Sequence, residues 1–191
     1  MTRDRRTVLA DAALSVLADG GMRALTHRAV DAAAGLPTGT TSAYLRTRKA
    51  LLSALAVRLV ELDQTELREA AESTPLRPQA DPDELAEALA RFSEARLTGE
   101  GRRRTLARYA CAVESVYHPE LREVLAPREN AARDAVRAVL AAHGVADPDG
   151  RTVTLLACVD GLVFERLTGP AADAGGLCDE IRALVRAALR P

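Results

Sequence analysis

Apolar residues recur along this chain every three or four positions and almost nowhere alternate strictly. That period belongs to amphipathic helices. Over residues 4–19, Val8, Leu9, Ala12, Ala13, Val16 and Leu17 share one face, and Gly20-Gly21 stops the run. Leu25, Ala29, Val30 and Ala33 mark a second, short helix. Thr26 stands where an N-cap belongs, its hydroxyl able to accept from an amide of the first turn. Ala34-Gly35-Leu36 predicts a turn, with Gly35 in the left-handed position that closes a helix. Pro37 opens a third helix over 38–45, where its missing N–H costs nothing. A longer helix follows over 48–72, about 37 Å at a rise of about 1.5 Å per residue. Leu52, Leu55, Leu59 and Leu62 line one of its faces.

The prolines between 73 and 82 predict a loop, and Asp81-Pro82-Asp83-Glu84 has the form of a helix start. That helix reaches about Leu97 and ends at Thr98-Gly99-Glu100-Gly101. The next covers 102–117, with Leu106, Tyr109, Ala110, Val113, Val116 and Tyr117 expected inside. His118-Pro119 breaks the chain and opens a helix to His143, capped by Gly144 and kinked at Pro127. Asp147-Pro148-Asp149-Gly150 starts a helix over 151–168. It is apolar on most sides (Val153, Leu155, Leu156, Ala157, Val159, Leu162, Val163, Phe164, Leu167), which predicts burial on more than one face. Gly169-Pro170 ends it, and a loop over 171–176 leads to a last helix over 177–190. The fold class expected is all-α.

Composition narrows this further. Aromatics are 3% of 191 residues and Trp is absent, so the core must be Leu, Val and Ala, which suits helices and not a β-sandwich. A net charge of −1 hides a split: residues 1–50 hold eight basic and four acidic side chains, +4, which leaves −5 for the rest. A basic head on an acidic body concentrates attraction for phosphate at one end. Arg3, Arg5 and Arg6 open that head. Cys111, Cys158 and Cys178 are far apart with no CxxC spacing, and the N-terminus lacks an apolar leader. The expectation is reduced thiols, no cofactor or metal site, and a cytoplasmic protein with no membrane segment.

The third helix has an unusual surface: Thr38, Gly39, Thr40, Thr41, Ser42 and Tyr44, with no long aliphatic side chain before Leu45. Arg28 precedes it; Arg46, Arg48 and Lys49 follow. A helix-turn-helix lays its second helix in the major groove and ties its ends to phosphates, and small hydroxyls permit that approach. Gly39 inside a helix costs about 1 kcal/mol relative to Ala, a cost that close approach of backbone to nucleic acid would explain. The pattern Leu25-Thr26-x-Arg28-x-Val30-x-x-Ala33-x-Gly35-Leu36, then Gly39-Thr40-x-x-x-Tyr44-Leu45 and Lys49-x-Leu51-Leu52, resembles the DNA-binding domain of the TetR family of bacterial transcriptional regulators. Two positions depart from it: Ser42 replaces a frequent aromatic and Leu45 a frequent Phe.

The resemblance implies a three-helix DNA-binding domain over 1–49 and a helical effector-binding and dimerisation domain over 50–191. It assigns Arg28, Thr38 and Gly39 to base edges, and Thr26, His27, Thr40, Ser42, Tyr44, Arg48 and Lys49 to phosphate. It also implies a homodimer built on the last two helices, with Val159, Leu162, Val163, Leu177, Ile181, Leu184, Val185 and Ala188 at the contact. An effector pocket in the body has Phe92, Tyr109, Cys111, Glu114, Tyr117 and Phe164 as candidate lining, chosen as aromatic or polar residues on apolar helices. Asp160 and Glu165 stand on the most apolar helix, where a buried carboxylate would meet a cationic ligand or an Arg at the subunit contact. No nucleophile elbow, dinucleotide fingerprint, P-loop or zinc spacing occurs, and His118 with Glu114 reads as a helix boundary, so no enzyme is expected. The function expected is a repressor that a small molecule releases from a palindromic operator on double-stranded DNA. The alternatives are an activator of the same fold and a helical dimer that no longer binds DNA.

Overall fold

The computed structural model describes residues 4–73, 75–125, 131–169 and 176–190. They form ten helices: α1 (Arg5–Ala24), α2 (His27–Ala33), α3 (Thr40–Tyr44), α4 (Arg48–Ser73), α5 (Pro82–Ala95), α6 (Gly99–Glu114), α7 (Pro119–Leu125), α8 (Ala131–Ala142), α9 (Pro148–Thr168) and α10 (Leu177–Ala188). Among the described residues there is no strand. Arg3, the kink expected at Pro127 and the loop residues 170–175 lie outside the described residues. The expected stop at Gly20-Gly21 is a break rather than an end: Gly21 takes φ +69°, and helical turns resume to Ala24.

The chain divides into two compact units. One holds the described parts of 1–64 and 103–128, the other those of 65–102 and 129–191. The division does not fall at residue 49, where the sequence suggests a boundary. Leu51, Leu52, Leu55, Ala56 and Leu59 of α4 share one core with Leu9, Ala13, Leu14 and Leu17 of α1, and with Leu25, Val30 and Leu45. Ala107 and Cys111 of α6 and Leu121 of α7 complete that core. Arg58 of α4 reinforces it through Asp11 of α1, Nε to Oδ1 at 2.6 Å. Separating the head at residue 49 would expose the α4 leucines, so the core carries the unit past that point.

The buried side of α6 is not the one expected. Thr105, Ala107, Cys111 and, just beyond the helix, Ser115 are buried. Leu106, Tyr109 and Ala110 are half-buried, whereas Val113, Val116 and Tyr117 are exposed. Small residues four apart let a helix backbone approach the leucines of its neighbours, and the bulkier side chains then turn outward.

In the second unit α10 packs on α5 and α9, and α8 packs on α9. The core is Leu85, Ala86, Ala90, Val136, Val139, Leu140, Leu155, Val159, Leu177, Ile181, Val185 and Ala188. Asp81 starts α5 with a capping box: its carboxylate accepts from the third-position backbone, while Glu84 accepts from the Asp81 amide at 3.2 Å. The Asp147 carboxylate caps α9 by accepting from the Gly150 amide at 3.0 Å. Gly101 has no alternative at the α5–α6 turn, because a Cβ there would stand 1.9 Å from the Ala95 carbonyl oxygen.

The residues expected at a subunit contact also serve the chain's own packing. Val159, Val163, Leu177, Ile181, Val185 and Ala188 are buried within the chain itself, and Leu162 and Leu184 are half-buried against the same interior. What α9 turns outward is Val153, Ala157, Cys158, Gly161 and Phe164. Asp160 and Glu165 are exposed on the chain as well, so neither is buried within its own core. Accordingly, Ile181→Ala should lower unfolding free energy by about 2–5 kcal/mol. Urea denaturation at two protein concentrations checks this: a drop in midpoint equal at both is expected, whereas a loss confined to low concentration would put Ile181 at a subunit contact.

Candidate nucleic-acid interface

The helix-turn-helix is assembled from short pieces that could not stand alone. Isolated helices of five and seven residues are unstable in water; here α2 and α3 pack on each other and α2 on α1. Thr26 caps α2 as expected, its hydroxyl accepting from the Ala29 amide at 3.1 Å. Gly35 closes it with φ +64°. Leu25 and Val30 are buried, but Ala33 of the same expected face is exposed.

The start of α3 differs from expectation. Gly39 does not lie within the helix but caps it, in the left-handed region at φ +95°. A side chain is strained there, so backbone conformation by itself explains the glycine. A glycine cap has no side-chain acceptor for the opening amides, and Asp31 supplies one from α2. Its Oδ2 accepts from the Gly39 amide at 2.7 Å; its Oδ1 accepts from the Thr41 amide at 2.7 Å and the Thr41 hydroxyl at 2.6 Å. Both Asp31 and Thr41 are buried. Burial opposes the charge on Asp31. The Thr41 hydroxyl, the Thr41 and Gly39 amides and nearby His27 outweigh it and hold the carboxyl below its ordinary 3.8.

Three of the residues expected at phosphate also brace this assembly. His27 Nε2 donates to the Leu45 carbonyl at 2.6 Å, tying the start of α2 to the end of α3. Arg48 donates from Nη1 to the Leu25 carbonyl at 2.7 Å and from Nη2 to the Met22 carbonyl at 3.0 Å. Thr40 Oγ1 donates to the Pro37 carbonyl at 2.7 Å. Lys49 is paired with Glu120 at 3.1 Å.

Other side chains stay available. Arg28, Thr38, Ser42 and Tyr44 are exposed, and among the described residues their side chains make no hydrogen bond or ion pair. Arg46 has the same standing, although its place was not assigned from the sequence. The surface offered is two guanidiniums, two small hydroxyls and a phenol around a five-residue helix. Asp31 also escaped the sequence reading. Its one signal was indirect: a helix that opens at glycine needs an acceptor from elsewhere.

The effector candidates divide between the units. Tyr109, Cys111, Glu114 and Tyr117 lie in the first, Phe92 and Phe164 in the second. Cys111 is core, its thiol pushed up to about 12 by burial and by the negative Glu114 nearby. It is therefore an inert apolar group at neutral pH. Tyr117 is 77% and Phe164 49% exposed. Phe92 is half-buried under the Arg96 guanidinium, 4.8 Å from its ring centre. Glu114 stands 3.4 Å from His118 Nε2. Along α10, Asp179, Arg182, Ala183, Arg186 and Arg190 line an open groove of about 570 Å³. Among the described residues no helix is long and apolar enough to cross a membrane.

A chain helical throughout its described residues, whose first unit carries a braced helix-turn-helix, has the architecture found in DNA-binding transcriptional regulators. The comparisons identify which. Residues 80–191 match the family model described as Tetracyclin repressor-like, C-terminal domain. That is more than half of the chain, and the chain belongs to the TetR family. Among solved structures, a transcriptional regulator from Rhodococcus sp. Rha1 aligns over 97% of this chain and 96% of its own with a TM-score of 0.78, at 24% identity. A TetR-family member from Streptomyces coelicolor A3 aligns over 95% and 98%, TM-score 0.67, 26% identity. The multidrug binding protein EbrR complexed with ethidium aligns over 95% and 98%, TM-score 0.68, 28% identity. No curated protein matches the sequence.

Asp31→Ala leaves two amides and a hydroxyl without their acceptor and should destabilise the fold by about 1–3 kcal/mol. The acid dependence follows from the lowered pKa. Asp31's stabilising contribution is complete above its unfolded value and is lost as pH falls through the folded one. The stability of Asp31→Asn should therefore fall less steeply below about pH 4. Thermal melts followed by circular dichroism from pH 7 to pH 3 test both; parallel acid limbs for the two proteins would contradict this role.

Proposed function

We propose that this protein is a homodimeric transcriptional repressor that binds a near-palindromic operator and leaves it when a small effector binds within residues 50–191. Residues 1–49 serve as the reading head in this proposal. The observation that carries it is the fastening of α3 at both ends, by Asp31 at its start and His27 at its close, beneath an exposed surface of Arg28, Thr38, Ser42, Tyr44 and Arg46. Such rigidity serves recognition, because base-edge hydrogen bonds tolerate little misplacement. The +4 charge of the first fifty residues supports the same assignment.

Arg28 reads bases, its guanidinium suited to the paired acceptors of guanine. Thr38 and the Gly39 backbone lie against base edges or the adjacent sugar. Thr26, Ser42, Tyr44 and Arg46 hold phosphate, and His27, Thr40 and Arg48 act on DNA mainly by shaping the head. Dimerisation uses the outward stripe of α9, where small Ala157 and Gly161 lie between Val153 and Phe164. Two-fold symmetry then demands two related half-sites. Support for an effector comes from EbrR, 28% identical and seen with ethidium. The protein has no catalytic role in this reading.

Fluorescence-anisotropy titration against DNA from upstream of its own gene, with random DNA as control, tests the proposal. Sequence-selective, salt-dependent binding at two protomers or a multiple per site is expected; affinity no greater than for random DNA at any genomic site would refute it. Arg28→Ala should cost about 1–3 kcal/mol and relax specificity, whereas Arg46→Ala should weaken all sequences alike and reduce the salt slope by about one. Phe164→Glu should yield monomers in sedimentation-velocity runs, and unchanged dimers would remove α9 from the contact.

A further inference from the structure

We propose that Glu120 competes with the DNA backbone for Lys49, and so sets how strongly the head binds DNA of any sequence. The proposal rests on the DNA-binding reading above. Lys49 is the second residue of α4, and the only lysine in the chain. Its neighbour Arg48 is committed to two backbone carbonyls. Lys49 has no such tie: its side chain is 67% exposed, and Nζ lies 3.1 Å from Glu120 Oε1 on α7. An ion pair this exposed is weak and exchangeable, and a phosphate can take the ammonium from it.

The geometry also provides for the carboxylate once Lys49 has left. The same Oε1 stands 3.7 Å from His118 Nδ1, and His118 Nε2 stands 3.4 Å from Glu114 Oε1. Glu120 therefore keeps the His118 imidazole beside it when Lys49 turns to phosphate. Glu120 opposes DNA by occupying Lys49. That competition acts on phosphate and not on bases, so it lowers affinity for operator and random DNA in the same proportion. Weak background binding favours selection of one site among many.

The test is anisotropy titration of the full chain, wild type and Glu120→Gln, against the operator fragment and a random-sequence duplex at several salt concentrations. Glu120→Gln should tighten both by about 2- to 5-fold at low salt, the range an exposed ion pair allows. In a Lys49→Ala background the same change should do nothing. Glu123→Gln, which removes an exposed charge from the same short helix, should also leave affinity unaltered. Equal affinities for wild type and Glu120→Gln overturn the proposal. So does equal tightening in the Lys49→Ala background or by Glu123→Gln, since either would show a general charge effect. If no variant binds DNA with any salt dependence, the DNA-binding reading itself falls and takes this proposal with it. A wild type that binds selectively beside an inert Glu120→Gln removes this proposal alone.

Discussion

A five-residue helix cannot hold itself at the surface of a protein, and the reader of this chain depends on the buried carboxylate that does it. Asp31 accepts three hydrogen bonds from Gly39 and Thr41, and so stands where a capping side chain would. The charge is tolerated because its donors are pre-arranged, and the same donors keep it ionised against burial. With α3 anchored on α2, the left-handed Gly39 becomes affordable. The exposed hydroxyls then need no structural task of their own.

Around that anchor, polar groups sort into those that hold the head and those that face out. His27 and Arg48 look like DNA contacts by residue type, yet each spends its donors on backbone carbonyls that helix ends and turns leave unpaired. Arg28 and Arg46, like Arg5, Arg6 and Arg23, are guanidiniums left to the surface. Arginine serves both purposes with one chemistry, and only the position of the nearest carbonyl separates them. Lys49 stands between the two groups, paired but exposed.

Much of the fold was legible in local patterns. The caps at Thr26, Asp81 and Asp147, the turn at Gly35 and the long α4 all follow from signals within a few residues. Inside and outside were less legible. On α6 the larger apolar residues suggested one face, and the structure buries the small ones. On α9 and α10 an apolar stripe suggested a partner subunit, and the chain's own core absorbed it. A hydrophobic pattern states that a face will be covered but not by what. The expected DNA-contact positions could be named by resemblance, but the bracing by His27 and Arg48 could not, because the carbonyls they meet lie 18 to 26 residues away in sequence.

The sequence by itself determined the helices, their caps and breaks, the charge split between head and body, and the family, because each rests on short-range periodicity, local hydrogen bonding or residue identity. Only the tertiary structure decided which acid holds α3, which cations remain exposed around it, and where the first unit ends. Those outcomes depend on which distant groups packing brings within hydrogen-bond reach, and a buried donor or acceptor must find whichever partner stands there.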